Sequence, residues 1–224
     1  MESAEVRRLL EETHALLNGH FLLASGKHSD KYFQCARVLA SPARASLLGA
    51  GIGGKWADES IDAVFGPAIG GIVIAHEVAR YLGSPAYYTE REEGKMKLRR
   101  GFTVDPGARA LVVEDVVTTG GSAQEVVDLL KELGLEVVGV SSIVWRSPET
   151  AGAASASPAS PASPASPASP ASPASPFGEL KFRPLLTIPT EAWDVAACPQ
   201  CKAGKPFEKP GSRIRPGSVA QAGK

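Results

Sequence analysis

The segment 110–113 (Ala-Leu-Val-Val) most constrains the fold, because its four apolar residues do not alternate with polar ones. A strand of this kind is covered on both faces, as strands of parallel sheets are. Further strand-like segments at 63–65, 86–88 and 137–145 are separated by stretches of helical periodicity. Strands joined by single helices predict an α/β fold, an open, mostly parallel sheet with helices on both faces.

Periodicity and end signals place the helices between these strands. The apolar residues at positions 6, 9, 10, 16 and 17 share one helical face, which predicts an N-terminal helix continuing to Leu17. Ser41-Pro42 starts a second helix, with proline at its first position. Segments 72–82 and 122–133 are each followed by a glycine that ends a helix. Strand-like character returns at 180–188.

Composition excludes several classes of function. The 224 residues carry 24 basic and 24 acidic side chains, so net charge gives no reason to expect nucleic acid or an anionic membrane as partner. No apolar run approaches the roughly 18 residues that span a bilayer, and the charged N-terminal stretch does not resemble a secretory signal. Three cysteines do not make a disulfide scaffold. We therefore expect a cytoplasmic protein.

Two segments stand apart from the predicted domain, which covers 1–150 and 177–197. Segment 151–176 is a Ser-Pro-Ala low-complexity insertion with proline at every third position from 158 to 176, and polyproline II is its expected local state. It is either a surface linker or a PxxP ligand. Segment 198–224 is a basic tail with six basic residues and one acid, either solvated or bound to an anionic partner.

The chemistry is concentrated after the strand at 110–113. Glu114 and Asp115 follow it directly, and a turn of small and hydroxyl residues, 118–121, then enters a helix at Ser122. Ligands of open α/β sheets bind where strands end in this way. Free backbone N–H groups, hydroxyls and a helix N-terminus suit a phosphate monoester. The two carboxylates would repel that phosphate unless they face sugar hydroxyls or a metal ion, so a phosphorylated sugar is predicted.

Residues 110–122 resemble the fingerprint of the type I phosphoribosyltransferases, which bind 5-phosphoribosyl 1-diphosphate (PRPP). Residues 21–33 (Phe-Leu-Leu-Ala-Ser-Gly-Lys-His-Ser-Asp-Lys-Tyr-Phe) and 65–75 (Phe-Gly-Pro-Ala-Ile-Gly-Gly-Ile-Val-Ile-Ala) resemble segments of the orotate phosphoribosyltransferases. The resemblance covers about 5–147 and 177–190. It implies the type I fold with a small N-terminal hood, and transfer of phosphoribose from PRPP to orotate in pyrimidine biosynthesis.

The resemblance also implies roles for individual residues. Glu114 and Asp115 would hold the ribose hydroxyls of PRPP, with Lys95 as a further catalytic residue. The other implied PRPP contacts are Val116, Val117, Thr118, Thr119, Gly120, Gly121, Ser122, Arg91, Lys95, Lys97, Ala68, Ile69, Gly70 and Gly71. The implied orotate contacts are Tyr32, Phe33, Thr118 and Arg146. No residue is expected to bind metal directly, since Mg²⁺ would bind through PRPP oxygens. Family members act as homodimers with shared active sites.

Segment 90–101 is basic and contains glycines. Relatives have a mobile loop here that covers the neighbouring subunit's active site, and the alternative is a solvated hairpin. Ala24 and Gly70 stand where many relatives carry lysine. Lys27, His28 or the basic segment are candidates to supply the missing positive charge.

Other signals leave alternatives open. The glycines at 49–54 match G-x-G-x-x-G but follow a helical stretch, which disfavours a dinucleotide site. Cys198 and Cys201 form one C-x-x-C pair, which is either an incidental turn, a redox pair or half of a metal site shared by two copies of the chain. His14, His20 and His76 are interpreted as packing or surface residues. The rival functions are another base phosphoribosyltransferase and a non-catalytic PRPP-binding regulator of the same fold.

Overall fold

The computed structural model describes residues 1–23, 25–148 and 174–210, which fall into two compact units. Unit 1 is Met1–Leu16 with Phe33–Thr190, and unit 2 is Leu17–Tyr32 with Glu191–Lys224. Ala24, most of the Ser-Pro-Ala insertion and the last part of the basic tail lie outside the described residues. The grouping of 191–210 with 17–32 was not expected from the sequence, and the predicted boundaries at 150, 177 and 198 stay a prediction.

In chain order the helices and strands are α1 (Ser3–Glu12), β1 (Leu16–Leu22), β2 (His28–Phe33), α2 (Ala36–Leu39), α3 (Pro42–Gly54), β3 (Ala63–Pro67), α4 (Gly70–Leu82), β4 (Ala86–Glu92), β5 (Lys95–Leu98), β6 (Arg109–Val117), α5 (Gly121–Glu132), β7 (Glu136–Pro148), β8 (Lys181–Phe182), β9 (Leu186–Thr190) and α6 (Pro199–Lys202). Helices and strands alternate from α3 to β4 and from β6 to β7, whereas β1–β2, β4–β6 and β7–β9 follow one another without an intervening helix. No helix in these ranges is both long and apolar enough to cross a membrane.

The central sheet of unit 1 has the order β5-β4-β3-β6-β7-β8, with β9 also paired to β7. All neighbours are parallel except β4 and β5, which form an antiparallel hairpin. Both β8 and β9 pair with β7, so the two strands that follow β7 in the described chain lie beside that same strand. The predicted open, mostly parallel sheet is confirmed.

Alternate residues of the central strands enter two separate cores. Val64 of β3 and Leu111 of β6 pack in a cluster with residues of α1, α3 and α4. Their neighbours Phe65 and Val112 pack on the other face, in a cluster with Val126 and other residues of α5. Burial on both faces explains why segment 110–113 has no polar alternation, and it confirms helices on both faces.

The predicted N-terminal helix is too long. Helix α1 ends at Glu12, and Leu16 lies in β1. The Thr13 hydroxyl donates a hydrogen bond to the Leu9 carbonyl, and His14 then adopts a positive φ of 52°. A left-handed residue of this kind stops a helix, but a histidine is not a sequence signal for it.

The G-x-G-x-x-G match lies inside α3 and serves helix packing. A Cβ added at Gly49 would lie 2.6 Å from the Cβ of Glu77 on α4, so the absence of a side chain lets the two helices approach closely.

Unit 2 consists of most of the β1–β2 hairpin and the segment that follows β9. Trp193 and His28 exchange two backbone hydrogen bonds of 2.8 Å. The Glu208 carbonyl accepts from the Leu22 N–H, and the Glu208 N–H donates to the His20 carbonyl. The short helix α6 lies between these two connections in the chain.

Candidate active site

The turn after β6 lines a cavity of about 250 Å³. Thr118 and Thr119 are exposed there, and α5 begins at Gly121. The lining residues are Arg91, Glu114, Val116, Val117, Thr118, Thr119, Gly120, Gly121, Ser122, Ala123 and Glu125. The predicted phosphate turn is therefore open to solvent at the carboxyl end of a central strand, where ligands of such sheets bind.

Glu114 and Asp115 lie in the last part of β6. Glu114 is 8% exposed and lines the cavity, whereas Asp115 is half-buried. The Asp115 N–H donates to Glu114 Oε1 over 3.2 Å, and the Val116 N–H donates to Asp115 Oδ1 over 2.8 Å. These bonds fix the two carboxyl groups beside each other.

Burial first, and repulsion from the neighbouring Asp115 carboxylate second, together raise the pKa of Glu114 to about 9. Glu114 is therefore largely protonated near neutral pH. Protonation of Glu114 removes its negative charge from the pair. The same surroundings raise the pKa of the Cys35 thiol, first by burial and then through the charges of Asp115 and Glu114.

The segment 68–71 approaches this acid pair at the start of α4. A Cβ added at Gly70 would lie 2.6 Å from Asp115 Oδ1, and one added at Gly71 would lie 3.4 Å from Glu114 Oε1. The structure thus brings the predicted diphosphate segment to the predicted ribose-binding pair. It also gives a physical reason for glycine at position 70, because any side chain there must displace the Asp115 carboxylate.

The basic segment 90–101 forms the antiparallel β4–β5 hairpin, with its turn at Glu93 and Gly94. Arg91 lines the cavity of its own chain and pairs with Glu125 over 2.8 Å. Lys97 pairs with Glu92 over 2.6 Å and holds the pKa of that carboxyl below its usual range. In the described part of the chain, exposed Lys95 makes no ion pair.

The predicted orotate contacts lie in both units. In unit 1, the Arg146 guanidinium of β7 stands 5.8 Å from the centre of the buried Phe33 ring. Tyr32 belongs to unit 2, where its ring centre is 5.9 Å from that of Phe21. The structure therefore brings Arg146 to Phe33, and the role of Tyr32 stays a prediction.

A larger open depression lies away from the acid pair, between the end of α3 and the β8–β9 connection. Two of its charged lining residues pair with each other, Arg183 with Asp58 over 3.1 Å, and the Arg183 guanidinium lies 4.4 Å from the centre of the Trp56 ring. The smaller cavity beside β6 is the better candidate because it lies at the carboxyl end of a central parallel strand and at the N-terminus of α5.

Unit 2 holds a cluster that sequence reasoning did not assemble. His20, His28, Cys198 and Cys201 present ligand atoms that all lie within 4.8 Å of one another. His20, interpreted from the sequence as a packing or surface residue, is buried beside these groups. Lys27 pairs with Asp194 over 3.8 Å, and a role of Lys27 or His28 in supplying the missing positive charge stays a prediction. His14 and His76 are exposed, as expected.

The parallel sheet, with an acid pair and an open turn at the end of β6, defines the phosphoribosyltransferase class. The model of the phosphoribosyl transferase domain family matches residues 38–160. Orotate phosphoribosyltransferases from Carboxydothermus hydrogenoformans and Desulforamulus reducens are 46% and 42% identical, covering 93% and 95% of this chain and 97% and 98% of theirs. The chain belongs to the orotate phosphoribosyltransferase family, which confirms the resemblance found in the sequence.

Solved structures agree with this assignment. Orotate phosphoribosyltransferase from Aeropyrum pernix is 30% identical, with a TM-score of 0.52, covering 63% of this chain and 81% of that one. A phosphoribosyltransferase from Corynebacterium diphtheriae is 26% identical, with a TM-score of 0.59 and coverage of 83% and 95%. The Mycobacterium tuberculosis orotate enzyme in complex with PRPP, 22% identical with a TM-score of 0.55 over 82% and 96%, supports the fold.

Proposed function

We propose that the cavity beside β6 binds PRPP and that this chain transfers its phosphoribosyl group to orotate. The products are orotidine 5'-monophosphate and diphosphate, in the synthesis of pyrimidine nucleotides. The roles proposed for individual residues rest on one observation. The acid pair, the turn and the start of α4 lie together at one edge of the sheet. A sugar that carries a phosphate at one end and a diphosphate at the other matches this arrangement.

The turn 118–122 would hold the 5-phosphate through its backbone N–H groups, its hydroxyls and the N-terminus of α5. Asp115 and Glu114 would hold the ribose hydroxyls. A protonated Glu114 both donates and accepts hydrogen bonds, and it lowers the repulsion that two carboxylates would exert on the phosphate groups. Because the raised pKa keeps Glu114 protonated near neutral pH, the acid pair would repel neighbouring phosphate groups less strongly.

The diphosphate would lie against 68–71 and the β4–β5 hairpin. Backbone N–H groups at the start of α4 are donors for its oxygens. Arg91 is on the cavity wall, and Lys95 is exposed with no ion pair in the described ranges. Lys95 and Lys97 would stabilise the charge that develops on the leaving group. Movement of the hairpin over the bound substrates would exclude water, which could otherwise capture the ribosyl group.

Orotate would be held by Arg146, Phe33 and Thr118, with Tyr32 as the further contact carried from the sequence. A guanidinium group offers paired donors to the carboxylate and carbonyl edge of orotate. In the reaction, N1 of orotate forms a bond to C1 of ribose while the bond from C1 to the diphosphate oxygen breaks. The diphosphate leaves with the electron pair. The transition state resembles an oxocarbenium ion, so orientation and charge stabilisation supply the rate.

Mg²⁺ fits this site as a substrate-bound ion. The acid pair offers only two carboxyl groups, one of them largely protonated, which does not make a protein cage. Mg²⁺ keeps several waters and commonly binds through phosphate oxygens. It would bind through the diphosphate oxygens of PRPP, with no protein side chain as a direct ligand, and neutralise charge on the leaving group. A homodimer and a cytoplasmic location complete the proposal, as the family resemblance and composition indicate.

Steady-state turnover of orotate with PRPP, with and without Mg²⁺, tests the proposed function. Adenine, guanine and uracil serve as competing bases. We expect PRPP-dependent loss of orotate that requires Mg²⁺, and little turnover of the other bases. Turnover of adenine without turnover of orotate would overturn the substrate assignment, and binding of PRPP without turnover of any base would indicate a regulator.

A further inference from the structure

Unit 2 brings together four metal-ligating side chains from distant parts of the sequence. His20 Nε2 lies 2.7 Å from His28 Nδ1 and 3.4 Å from Cys198 Sγ. Cys201 Sγ lies 3.2 Å from His28 Nδ1 and 3.7 Å from His20 Nε2. Two nitrogens and two sulfurs therefore face a common centre within one chain.

These side chains form much of the interior of unit 2. In its described ranges (17–23, 25–32 and 191–210), the buried residues are His20, Phe21, His28, Ser29 and Cys198. Three of these five belong to the cluster, and Cys201 is half-buried. A region with one buried aromatic residue gains little from apolar burial, and very small folding units commonly need a metal or disulfides.

A hydrogen bond outside the cluster orients His20. Its Nδ1 lies 2.9 Å from the Lys205 carbonyl oxygen, which can only accept, so Nδ1 carries the proton. The lone pair is then on Nε2, the atom that faces the two sulfurs. A ligating histidine is commonly oriented by a hydrogen bond of this kind from its other ring nitrogen.

Backbone hydrogen bonds hold each ligand in place. His28 exchanges two bonds with Trp193, and the His20 carbonyl accepts from Glu208. The Gln200 side-chain amide, between the two cysteines, donates to the Gly19 carbonyl over 2.8 Å. The C-x-x-C turn is thus attached to the hairpin on both sides, which an incidental turn does not require.

We propose that His20 Nε2, His28 Nδ1, Cys198 Sγ and Cys201 Sγ bind one Zn²⁺ in each chain. Zn–N bonds near 2.05 Å and Zn–S bonds near 2.3 Å in a tetrahedron place ligand atoms roughly 3.3–3.8 Å apart. The four observed contacts, 2.7–3.7 Å, need only small adjustments around an ion. On binding, the two thiols release their protons to solvent and the imidazoles remain neutral.

The four protein ligands indicate a structural rather than a catalytic role for this ion. Four protein ligands leave no open coordination position for a substrate, and Cys₂His₂ is a common set in structural zinc sites. Zn²⁺ has no redox chemistry, so the cysteines would be held as thiolates rather than cycling through a disulfide. The ion would connect the hairpin to the segment 191–210.

Metal analysis of the untagged full-length chain, expressed with zinc and purified under reducing conditions, tests this proposal. We expect about one zinc per chain by mass spectrometry of the metal. After removal by a chelator, Co²⁺ should restore about one equivalent, with the ligand-field bands of a tetrahedral site and a thiolate-to-cobalt charge-transfer band. Cys198→Ser and His28→Ala should lower the metal content at least about tenfold.

Matched controls separate the cluster from other thiols and histidines. Cys35→Ala removes the remaining cysteine, which is buried in unit 1, and His76→Ala removes an exposed histidine. Both should keep about one zinc per chain. The Co²⁺ spectrum of the wild-type chain tests the proposed ligand set even where a ligand variant does not fold. The absence of zinc together with no charge-transfer band, one ion per two chains, or a reversible Cys198–Cys201 disulfide would overturn the proposal.

Discussion

Units 1 and 2 contain two different kinds of interior. Unit 1 buries apolar side chains on both faces of a parallel sheet. The described interior of unit 2 is mainly imidazole and thiol groups. An apolar core needs no bound ion, and in unit 1 it tolerates a poorly solvated acid, Glu114, at its edge. A core of ligand atoms is stable only with its ion. The comparison predicts that the two units respond to different perturbations.

Removal of the proposed Zn²⁺ from unit 2 should produce the largest effect, a loss of protection from amide exchange. Because the free energy of zinc binding in small sites is also folding free energy, amide exchange in 17–23, 25–32 and 191–210 should accelerate about a hundredfold or more. Amides of β6 should keep their protection. Hydrogen exchange with mass spectrometry measures both regions in one experiment, and re-addition of zinc is the control. Equal protection of unit 2 with and without zinc would show that its interior does not depend on an ion.

Asp115→Asn is the corresponding perturbation of unit 1. It removes the charge that faces the start of α4 while keeping the size of the side chain. The value of kcat/KM for PRPP should fall about 100- to 1,000-fold, as for other groups that stabilise charge and position in a transition state. The melting temperature should change little because Asp115 is half-buried. Asp128→Asn, on exposed α5 surface, is the matched control, and unchanged kinetics for Asp115→Asn would remove this residue from the site.

Glu114 makes the stability of unit 1 depend on pH. With a folded-state pKa of about 9 against an ordinary value of 4.5, the folded protein holds a proton that the unfolded chain releases. Stability therefore falls as pH rises between these values, by up to about 2–3 kcal/mol from pH 6 to pH 8.

Glu114→Gln should flatten this dependence and raise stability at pH 8, as measured by urea unfolding at both pH values. Glu132→Gln, at the exposed end of α5, should keep the wild-type slope. A Glu114→Gln protein with the wild-type slope would contradict the protonated state of Glu114.

Gly70→Ala gives the smallest expected effect. The new Cβ would press on the Asp115 carboxylate, so kcat/KM for PRPP should fall about tenfold, with little change in the melting temperature. Gly54→Ala is the control, since its Cβ would meet nothing closer than the Tyr81 hydroxyl at 3.8 Å. Full activity of Gly70→Ala would show that the position of Asp115 is not critical.

The central part of unit 1 could be predicted from the sequence because its signals are local. Apolar runs, glycines at helix ends and the acid pair before a turn each lie within about a dozen residues. The end of α1 was missed because a positive φ at His14 has no residue signal. The need for glycine at position 70 could not be predicted either, because Asp115 is distant in the sequence and approaches Gly70 only in the folded protein.

The zinc cluster shows the limit of reading a sequence by spacing. His20 and His28 are more than 160 residues from the C-x-x-C pair. Neither histidine belongs to a metal-binding motif in the sequence. The C-x-x-C pair supplies only two ligands, and by itself it is compatible with a turn, a redox pair or a metal site shared by two copies of the chain. Long-range hydrogen bonds, such as those of Trp193 with His28 and of Glu208 with His20, bring the halves together.

The pairing of β8 and β9 with β7 allows the segment that connects them to vary in length. The segment between Pro148 and Lys181 begins and ends on neighbouring parallel strands, so its span does not set the register of the sheet. The entropic cost of closing a connection grows slowly, by about 0.6 kcal/mol for each doubling of its length. Gene-level gain or loss of Ala-Ser-Pro triplets would therefore be nearly neutral for folding, and natural variants with different triplet numbers should share one catalytic scaffold.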